Sequence, residues 1–398
     1  MAHKRLFALA AASVLTVSAC APSSDSDSSA GSGDAESGGT VEVGVIYSET
    51  GPLAAYGEQY RAGLEAGLDY ATDGTGDVDG TTIELVYRDD TGNPDTAVSA
   101  AKELIGDDVN IMVGTISSGI AGSLAEQAEQ NEVLYISGPA AADTITGVND
   151  YTFRSGRQSL QDVAAASAFL EGDNNTVVVF AQDNAFGQGN LAAVEAVLGA
   201  QGAEVTSVLV PEDATEFTPF AAQLIDSDPD LIFVAWAGAT AGNMWQSLEQ
   251  QNVFDEAPIV TGLADSATFG AYGPAADKIS FLSHYFPASS DNDVNTEMVS
   301  LVEAEGATPD LFTPDGFVAG QMIAQAVAEG DGDVPAMIES LEGWEFEGPK
   351  GSYTIRASDH ALIQDMFTAR LVETDGEFAA ELIDVVPADQ VAPPEAGE

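Results

Sequence analysis

The sequence VEVGVIYSETGPLAAYG occupies positions 41–57 and decides the fold. Its first six residues alternate and then become continuously apolar, as in a strand that is buried in a sheet. A Gly-Pro pair interrupts the pattern, and Tyr60, Leu64 and Leu68 then recur at helical spacing, which predicts a helix over residues 56–70. A buried strand followed by a turn and an amphipathic helix is the first half of a βαβ unit and indicates an α/β fold.

The alternation of strands and helices continues along the chain in two runs. In the first run, strands are predicted at residues 41–46, 83–87, 110–114 and 133–136, and helices at residues 56–70, 94–105 and 118–131. In the second run, strands are predicted at residues 176–180, 205–208, 231–235, 258–260 and 279–281, and helices at residues 186–199, 217–225 and 244–251. Two such runs predict two doubly wound lobes, each built on a parallel sheet with right-handed crossovers.

The remainder of the chain lacks this regular alternation. Residues 294–341 have helical spacing without matching strands, and we expect this segment to return and cover the first lobe. Residues 348–386 are predicted to be extended, with strands at 352–355 and 366–372. The roughly 358 residues from position 41 onward are enough for two domains of ordinary size.

The only cysteine, Cys20, ends a three-part N-terminal segment. Lys4 and Arg5 form a basic start, residues 6–17 are apolar, and small residues precede the cysteine, as in a secretory signal. The apolar run has about a dozen residues, whereas a helix that spans a bilayer needs about 20. We therefore predict that residues 1–19 are a cleaved signal peptide.

The position of Cys20 resembles the lipobox of bacterial lipoproteins, in which the cysteine is acylated and becomes the new N-terminus. The resemblance implies that Cys20 is lipidated and that its lipid attaches the chain to the membrane; a signal peptide with an incidental cysteine is the alternative. The residues that follow, up to position 40, are rich in Ser, Gly and Asp, so residues 20–40 are predicted to be a lipidated, disordered tether. If Cys20 is lipidated, no thiol remains for a disulfide or a thiolate metal site.

The chain is strongly acidic. It has 11 basic and 65 acidic residues, a net charge of −54, which becomes −56 if Lys4 and Arg5 leave with the signal peptide. A polyanion repels nucleic acids and anionic headgroups, so neither is expected as a partner. We interpret the scattered carboxylates as a solvated surface suited to a salty environment. A cation store is the alternative, but residues 77–80 are only a fragment of a calcium loop and predict a turn.

In an open parallel sheet, ligands bind beyond the carboxyl ends of the strands, and four loops of this chain qualify. These loops are residues 47–57, 114–119, 137–143 and 182–187. Ser117 and Ser118 open a helix in the second loop, and the free N–H groups of a helix start bind a carboxylate well. A plain capping role is the alternative for a lone Ser-Ser-Gly sequence.

Together, the loops resemble the leucine/isoleucine/valine-type periplasmic binding proteins, the solute receptors of bacterial branched-chain amino acid ABC transporters. The resemblance covers residues 41 to about 372 and rests on GVIYSETGPLAAYG at 44–57, Asp89-Asp90, Ser117-Ser118, Pro139-Ala-Ala141 and Phe186-Gly187. It implies the type I fold: two parallel-sheet lobes joined by three crossovers, with the ligand in a cleft that closes. The implied first lobe is residues 41–155 and 286–345, the second lobe is residues 156–285 and 346–386, and residues 387–398 form a tail.

The resemblance also implies the binding site. Ser118 would donate its hydroxyl and N–H to a ligand carboxylate, with Ile116 and Ser117 on the same wall. Asp265 would bind an ammonium group. The other implied contacts are Tyr56, the backbone of Ala140 and Ala141, the neighbouring Ala142, Phe186, Trp236, Ala237 and Phe312.

Two positions depart from the family. Ala142 stands where amino-acid-binding members tend to have Thr, and Phe186 stands where they often have Tyr. A branched-chain amino acid is the first expectation for the ligand, and an amide, a small carboxylate or an aromatic acid stays open. Tyr56 and Trp236 also have an interpretation as core packing, and Asp265 one as a helix cap.

The scarce basic residues have local interpretations. Arg154, Arg157 and Arg356 are expected to pair with nearby carboxylates. His284, near the second expected crossover, and His360, in the C-terminal region after the third, are expected to be structural residues close to the hinge.

Three functions are compatible with an exported chain of this kind. The first is a solute-binding lipoprotein that closes on a small molecule and delivers it to an ABC permease, and the second is the same fold acting as a ligand sensor for a membrane receptor. The third, a surface hydrolase, is disfavoured because Thr115 replaces the first glycine of a Gly-x-Ser-x-Gly elbow and no His-Glu-x-x-His or phosphate-loop motif occurs. We expect a non-enzymatic, extracytoplasmic monomer anchored by its lipid, without a cofactor or metal.

Overall fold

The computed structural model describes residues 39–169, 176–330 and 332–397. Cys20, the predicted signal peptide and the predicted tether up to residue 38 lie outside these ranges. Within the described ranges, no helix is both long enough and apolar enough to cross a membrane.

The first sheet contains six strands. They are β1 (Thr40–Tyr47), β2 (Asp77–Val78), β3 (Thr81–Asp89), β4 (Ile111–Gly114), β5 (Leu134–Ser137) and β6 (Thr152–Arg154). Their order is β2-β3-β1-β4-β5-β6, and every neighbouring pair is parallel except β2–β3. The helices of this run are α1 (Ala54–Ala71), α2 (Pro94–Gly106) and α3 (Ser118–Asn131). The predicted alternation of this first run is confirmed.

Helices cover both faces of the first sheet, which explains why β1 is continuously apolar. Val43 and Val45 pack in one buried cluster with Leu64 of α1. Ile46 points the other way and packs in a second cluster with Leu104 of α2 and Ile120 of α3. A strand with apolar contacts on both faces is typical of a doubly wound fold.

The second sheet contains seven strands. They are β7 (Thr176–Gln182), β8 (Glu204–Val210), β9 (Leu231–Ala235), β10 (Ile259–Gly262), β11 (Ile279–Ser283), β15 (Met366–Thr374) and β16 (Glu377–Val386). Their order is β16-β15-β11-β10-β9-β7-β8; the strands from β11 to β8 pair in parallel, and β15 and β16 are added by antiparallel pairing. The helices of this lobe are α4 (Ser159–Ala166), α5 (Ala185–Val194), α6 (Thr218–Asp226), α7 (Ala241–Gln250) and α8 (Phe269–Tyr272).

The segment after β11 returns to the first lobe, as expected. It forms α9 (Asp293–Ala304), α10 (Thr313–Gly330) and α11 (Val334–Leu341). Helix α10 lies directly against α1: a Cβ atom on Gly316 would lie 2.0 Å from the carbonyl oxygen of Tyr60, and one on Gly67 would lie 2.1 Å from that of Phe317. The two helix backbones therefore touch, and larger residues at these positions would force them apart.

A small antiparallel sheet follows. Its strands are β12 (Glu345–Gly348), β13 (Gly351–Ile355) and β14 (Leu362–Ile363). Tyr353, Ile355 and Leu362 are buried in the core of the first lobe. The expected lobe boundary at residue 346 is therefore too early, because the chain enters the second sheet only where β15 begins. Extended residues alone did not indicate which core they would pack against.

The chain passes between the two lobes after β6, after β11 and after β14. Its C-terminal tail forms a further link. Val391, in α12 (Ala388–Val391), is buried in the second lobe. Arg356 of the first lobe then donates to the carbonyl oxygens of Pro393 at 2.7 Å and Pro394 at 3.2 Å. The tail thus connects the second lobe to the first.

Candidate functional site

A cavity of about 310 Å³ is lined by residues that follow strands of both sheets. Its aromatic lining residues are Tyr56, Phe186, Phe233, Trp236 and Phe312. Its polar lining residues include Ser117, Ser118, Arg157, Asp162, Gln182, Asn184, Asn190, Glu212, Thr240, Thr261 and His284. A concave, largely apolar cavity with a few convergent polar groups is typical of a small-molecule site.

Most of the predicted contact residues line this cavity. They are Tyr56, Ile116, Ser117, Ser118, Ala141, Phe186, Trp236, Ala237 and Phe312. Ala140 and Ala142 are instead buried in a small cluster with Ile145. Asp265 lines a neighbouring cavity that it shares with Tyr56.

The buried carboxylate of Asp90 positions two of the loops that form the site. It accepts hydrogen bonds from Ser48 Oγ at 2.8 Å, from Gly92 N at 2.8 Å and from the hydroxyl of Thr115. Ser48 follows β1 and Thr115 follows β4. One side chain therefore connects the loop that contains Tyr56 to the loop that opens α3.

The start of α3 presents hydrogen-bond donors to the cavity. Ser117 occupies the N-cap position, and its side chain makes no capping bond within the described chain. Ser118, 6% exposed, accepts a hydrogen bond on Oγ from Ala142 N at 3.2 Å, which leaves its hydroxyl proton free to donate. The interpretation of Ser117 as a plain N-cap is therefore not supported, and the first turn of α3 can hold an anionic group.

The backbone carbonyls next to Ser118 are already bonded. Arg154 donates to the carbonyl oxygens of Ala140 at 2.6 Å and Ala142 at 3.1 Å. Ser159 N donates to the carbonyl oxygen of Ala141 at 2.8 Å. The expected pairing of Arg154 with a carboxylate is thus wrong: its guanidinium binds carbonyls and shapes the loop behind the cavity wall.

Asp265 does not reach the main cavity. It precedes the one-turn helix Ser266–Thr268, and the hydroxyl of Thr268 donates to its carboxylate. Burial raises the pKa of Asp265, and the nearby charge of Asp310 raises it further, while the bond from Thr268 opposes the rise. The predicted ammonium-binding role of Asp265 therefore lacks support from its position.

Aromatic rings close the cavity from both lobes. Tyr56 and Phe312 of the first lobe pack edge to face, with ring centroids 4.9 Å apart. In the second lobe, Trp236 stacks on Phe180 at 5.5 Å, and its Nε1 donates to Thr240 Oγ1 at 3.0 Å. Trp236 therefore packs against the core of the second lobe and also lines the cavity. Its interpretations as core packing and as a cavity residue are compatible.

Arg157 and Asp162, which the sequence did not predict as contacts, face the cavity as a pair. Arg157 Nε lies 3.2 Å from Asp162 Oδ2, and its Nη1 donates to the carbonyl oxygen of Pro139 at 2.8 Å. The expected pairing of Arg157 with a carboxylate is confirmed, and so is that of Arg356, which lies 2.6 Å from Asp359. Only the folded chain shows that the first pair lines the cavity.

His284 also lines the cavity, whereas the sequence predicted only a structural role for it. Its ring centroid lies 5.1 Å from that of Phe312. Burial lowers the pKa of His284, and the charges of Arg157 and Lys350 lower it further, so the imidazole is neutral. His284 directly follows β11, just as Arg157 closely follows β6, and this position beyond a strand end was the available signal.

The cleft is closed in this structure. Ala239 N of the second lobe donates to the carbonyl oxygen of Pro52 in the first lobe at 3.2 Å. Gly238, with φ of 82°, lies against the same carbonyl, and a Cβ atom there would be 2.9 Å from it. A glycine is needed at this contact because both the close approach and the positive φ exclude a side chain.

A family model described as periplasmic binding protein matches residues 40–377. The chain belongs to the periplasmic binding protein family. The Leu/Ile/Val-binding protein BraC3 of Rhizobium johnstonii is 26% identical over 292 residues, which cover 72% of this chain and 78% of that protein. The match along nearly the whole described chain confirms the family that the loop motifs suggested.

Solved structures of other periplasmic binding proteins share the fold. An ABC-type branched-chain amino acid transporter protein from Rhodopseudomonas palustris is 31% identical, with a TM-score of 0.75 over 90% of this chain and 100% of that chain. A solute-binding protein from the same species, in complex with 4-hydroxybenzoate, has a TM-score of 0.79 and 23% identity over 87% of this chain and 97% of that chain. These likenesses confirm the predicted fold class.

The family establishes the general function. The protein is an extracytoplasmic solute-binding protein of the ABC transporter class, and proteins of this class bind solutes and are not enzymes. The fold by itself does not specify the solute, which depends on the side chains in the site.

Proposed function

We propose that this periplasmic binding protein captures a small hydrophobic solute that carries a carboxylate, and delivers it to an ABC permease. The observation that carries the proposal is the start of α3, where Ser117 and Ser118 open onto a closed cavity lined by aromatic rings.

The carboxylate would bind at the first turn of α3. The N–H groups of this turn point out of the helix, and the helix dipole favours a negative charge there. The hydroxyl of Ser118 adds a donor, because its oxygen already accepts from Ala142 N. Hydrogen bonds to an ionised acceptor are stronger than neutral ones, especially in a site that excludes water.

The hydrophobic part of the solute would pack against Tyr56 and Phe312 on one side and Phe186 and Trp236 on the other. Aromatic rings provide a large apolar surface with little conformational entropy to lose. Closure of the lobes then follows from contacts that the ligand makes with both of them.

Two ligand classes are supported by different observations. The similarity to a Leu/Ile/Val-binding protein supports a branched-chain amino acid. The position of Asp265 outside the main cavity, and the fold shared with a protein in complex with 4-hydroxybenzoate, support an acid without an ammonium group.

We also propose that the protein acts as a monomer held near the permease by a lipid on Cys20. Its similarity to binding proteins of ABC transporters supports delivery to a permease over sensing. Cys20→Ser in the full-length gene should abolish the incorporation of a labelled fatty acid into the protein. Labelling of the variant equal to that of the unaltered protein would contradict lipid attachment at Cys20.

The carboxylate site is tested by Ser118→Ala. In the purified mature chain, this variant should weaken the binding of leucine or benzoate, whichever binds, by about tenfold or more, because a hydrogen bond to a charged group is lost. Ser123→Ala is the matched control: Ser123 lies on the same helix, and its hydroxyl bonds to the carbonyl oxygen of Gly119. Titration calorimetry measures both. Equal affinities of the two variants would refute the assignment.

A further inference from the structure

Gln182 is a buried glutamine at the carboxyl end of β7, in the wall of the ligand cavity. Its side-chain oxygen Oε1 accepts a hydrogen bond from the backbone N–H of Ala237 at 3.0 Å. Because a backbone N–H can only donate, this bond identifies the oxygen end of the amide and fixes the orientation of the whole group. The other end of the amide, Nε2, is therefore a hydrogen-bond donor in a known place.

The Nε2 atom of Gln182 has no acceptor within the described chain, although the residue is only 7% exposed. The nitrogen keeps accessible surface, and the residue lines the cavity, so a molecule in the cavity can reach this donor. Buried polar groups of folded proteins are nearly always hydrogen-bonded to protein, water or ligand. A solute that displaces water from Nε2 must accept its hydrogen bond or leave the donor unpaired, at a cost in free energy.

Other amide and hydroxyl donors in the wall of the second lobe are already paired inside the protein. Thr261 Oγ1 donates to the carbonyl oxygen of Val234 at 2.9 Å. Asn190 Nδ2 donates to the carbonyl oxygen of Phe186 at 3.0 Å. Gln182 differs from Thr261 and Asn190 because its donor remains available to the solute.

Gln182 is also joined to the loop that closes the cleft. Ala237, which donates to Gln182, is two residues before Ala239, and Ala239 N donates to the carbonyl oxygen of Pro52 in the first lobe at 3.2 Å. A solute that accepts from Gln182 is therefore held next to the contact between the lobes. Such a bond adds to the preference of the ligand for the closed form.

The carboxyl end of β7 lies opposite the start of α3. A Cβ atom on Gly119, in the first turn of α3, would lie 3.8 Å from the Cβ atom of Ala185, the first residue of α5. The acceptor for Gln182 can thus come from two sources. It is either the carboxylate of the solute, placed at α3, or a second oxygen elsewhere on the solute.

We propose that Gln182 is a hydrogen-bond donor from the second lobe to the solute, and that it selects a solute that presents an acceptor oxygen to this lobe. The inference rests on the proposed function and deepens it, because it names a specificity-determining residue of the same site. A solute with only hydrocarbon or an ammonium group at Gln182 would leave Nε2 unpaired, and a site built to hydrogen-bond its ligand rejects such molecules strongly.

The test is Gln182→Glu in the purified mature chain. One oxygen of the new carboxylate can still accept from Ala237 N, while the other replaces the donor Nε2 by a charged acceptor of nearly the same shape. Binding should weaken by about tenfold or more, because a hydrogen bond is lost and two acceptors then face each other. Titration calorimetry measures the affinities.

Gln223→Glu is the matched control. Gln223 is exposed on α6 of the second lobe, so this variant has the same change in charge away from the cavity. Its affinities should equal those of the unaltered protein. Both variants are titrated with benzoate, leucine, 4-hydroxybenzoate and 4-methyl-2-oxopentanoate. Weaker binding of all ligands that bind would identify the carboxylate as the acceptor, and weaker binding of the last two alone would identify a second oxygen.

Two results would overturn the inference. Equal affinities of Gln182→Glu and the unaltered protein would show that Gln182 does not contact the solute, and the carboxylate site would stand if Ser118→Ala still weakens binding. Tighter binding of leucine by Gln182→Glu would show that Gln182 faces a donor, such as the ammonium group. Failure of the unaltered protein to bind any carboxylate would instead refute the proposed function.

A crystal structure of the unaltered protein with its bound solute gives a second measurement that does not depend on a variant that folds. An oxygen of the solute should lie within about 3.2 Å of Gln182 Nε2. A bound solute without an acceptor at this distance would overturn the inference, whatever the chemical class of the solute.

Discussion

Ser266 donates both its backbone N–H and its hydroxyl to one oxygen of Asp310, with distances of 2.9 and 2.6 Å to Oδ2. Ser266 follows β10 in the second lobe, and Asp310 precedes α10 in the first lobe. The two hydrogen bonds therefore cross the mouth of the cleft, next to the contact between Asp265 and Thr268. An open form of the protein must break them, so this pair stabilises the closed form.

Ser266→Ala should weaken ligand binding by about three- to tenfold, since it removes one hydrogen bond to a charged group but keeps the N–H. The change should appear mainly as faster dissociation, because the bond exists only after closure. Stopped-flow measurements of tryptophan fluorescence, to which the cavity residue Trp236 contributes, test this. Ser300→Ala, on the outer part of α9, is the control. An unchanged dissociation rate in Ser266→Ala would show that the pair does not hold the lobes together.

His284→Phe should change how stability depends on pH. In the folded protein, burial and the charges of Arg157 and Lys350 hold the pKa of His284 well below its usual value of 6.5. Below pH 6.5 the unfolded chain therefore binds a proton that the folded chain does not, and the free energy of unfolding falls as the pH falls. The contribution of His284 to the free energy of unfolding changes by up to about 1.4 kcal/mol per pH unit.

The His284→Phe variant lacks this pH-dependent contribution to the free energy of unfolding. Urea denaturation at pH 7.5, 6.5 and 5.5 should show the unaltered protein losing stability relative to His284→Phe only below about pH 6.5. Parallel pH profiles of the two proteins would contradict a neutral, buried His284.

Gly316→Ala should destabilise the first lobe by about 2 kcal/mol or more, because the new methyl group would force α10 away from α1. Its Cβ would lie 2.0 Å from the carbonyl oxygen of Tyr60, a backbone atom, so side-chain adjustment alone cannot make room. Gly122→Ala, in α3, is the control, since nothing lies within 4 Å of its Cβ. That change should be neutral or stabilising by up to about 1 kcal/mol, owing to helix propensity. Equal effects of the two changes on thermal unfolding would exclude backbone contact between the helices.

Arg356→Gln should cost about 2 kcal/mol, because the guanidinium joins Asp359 to the carbonyl oxygens of Pro393 and Pro394. Arg370→Gln is the matched control: Arg370 pairs with Glu381 on the surface, where an ion pair contributes less than about 1 kcal/mol. Denaturation and proteolysis of the C-terminal tail measure the difference. If both variants lose the same small stability, the tail contributes no link between the lobes.

Much of the fold could be predicted because its signals are local. The apolar run of β1 and the spacing of Tyr60, Leu64 and Leu68 follow from contacts within one strand or one helix. The position of Ser118 at the cavity could be predicted because a helix start at a strand end is also a local feature. The packing of β13 against the first lobe could not be predicted. Extended residues such as Tyr353 could pack on either lobe, and only the folded chain decides between them.

The sequence by itself determined two α/β lobes, their order and the loops that meet at the cleft, because hydrophobic periodicity encodes secondary structure and parallel strands place their carboxyl ends together. Only the tertiary structure decided that Arg157, Asp162 and His284 share one cavity while Asp265 turns to Thr268. The physical reason is that a side chain's partners in a cleft depend on how three crossovers set two lobes against each other, and no short stretch of sequence contains that arrangement.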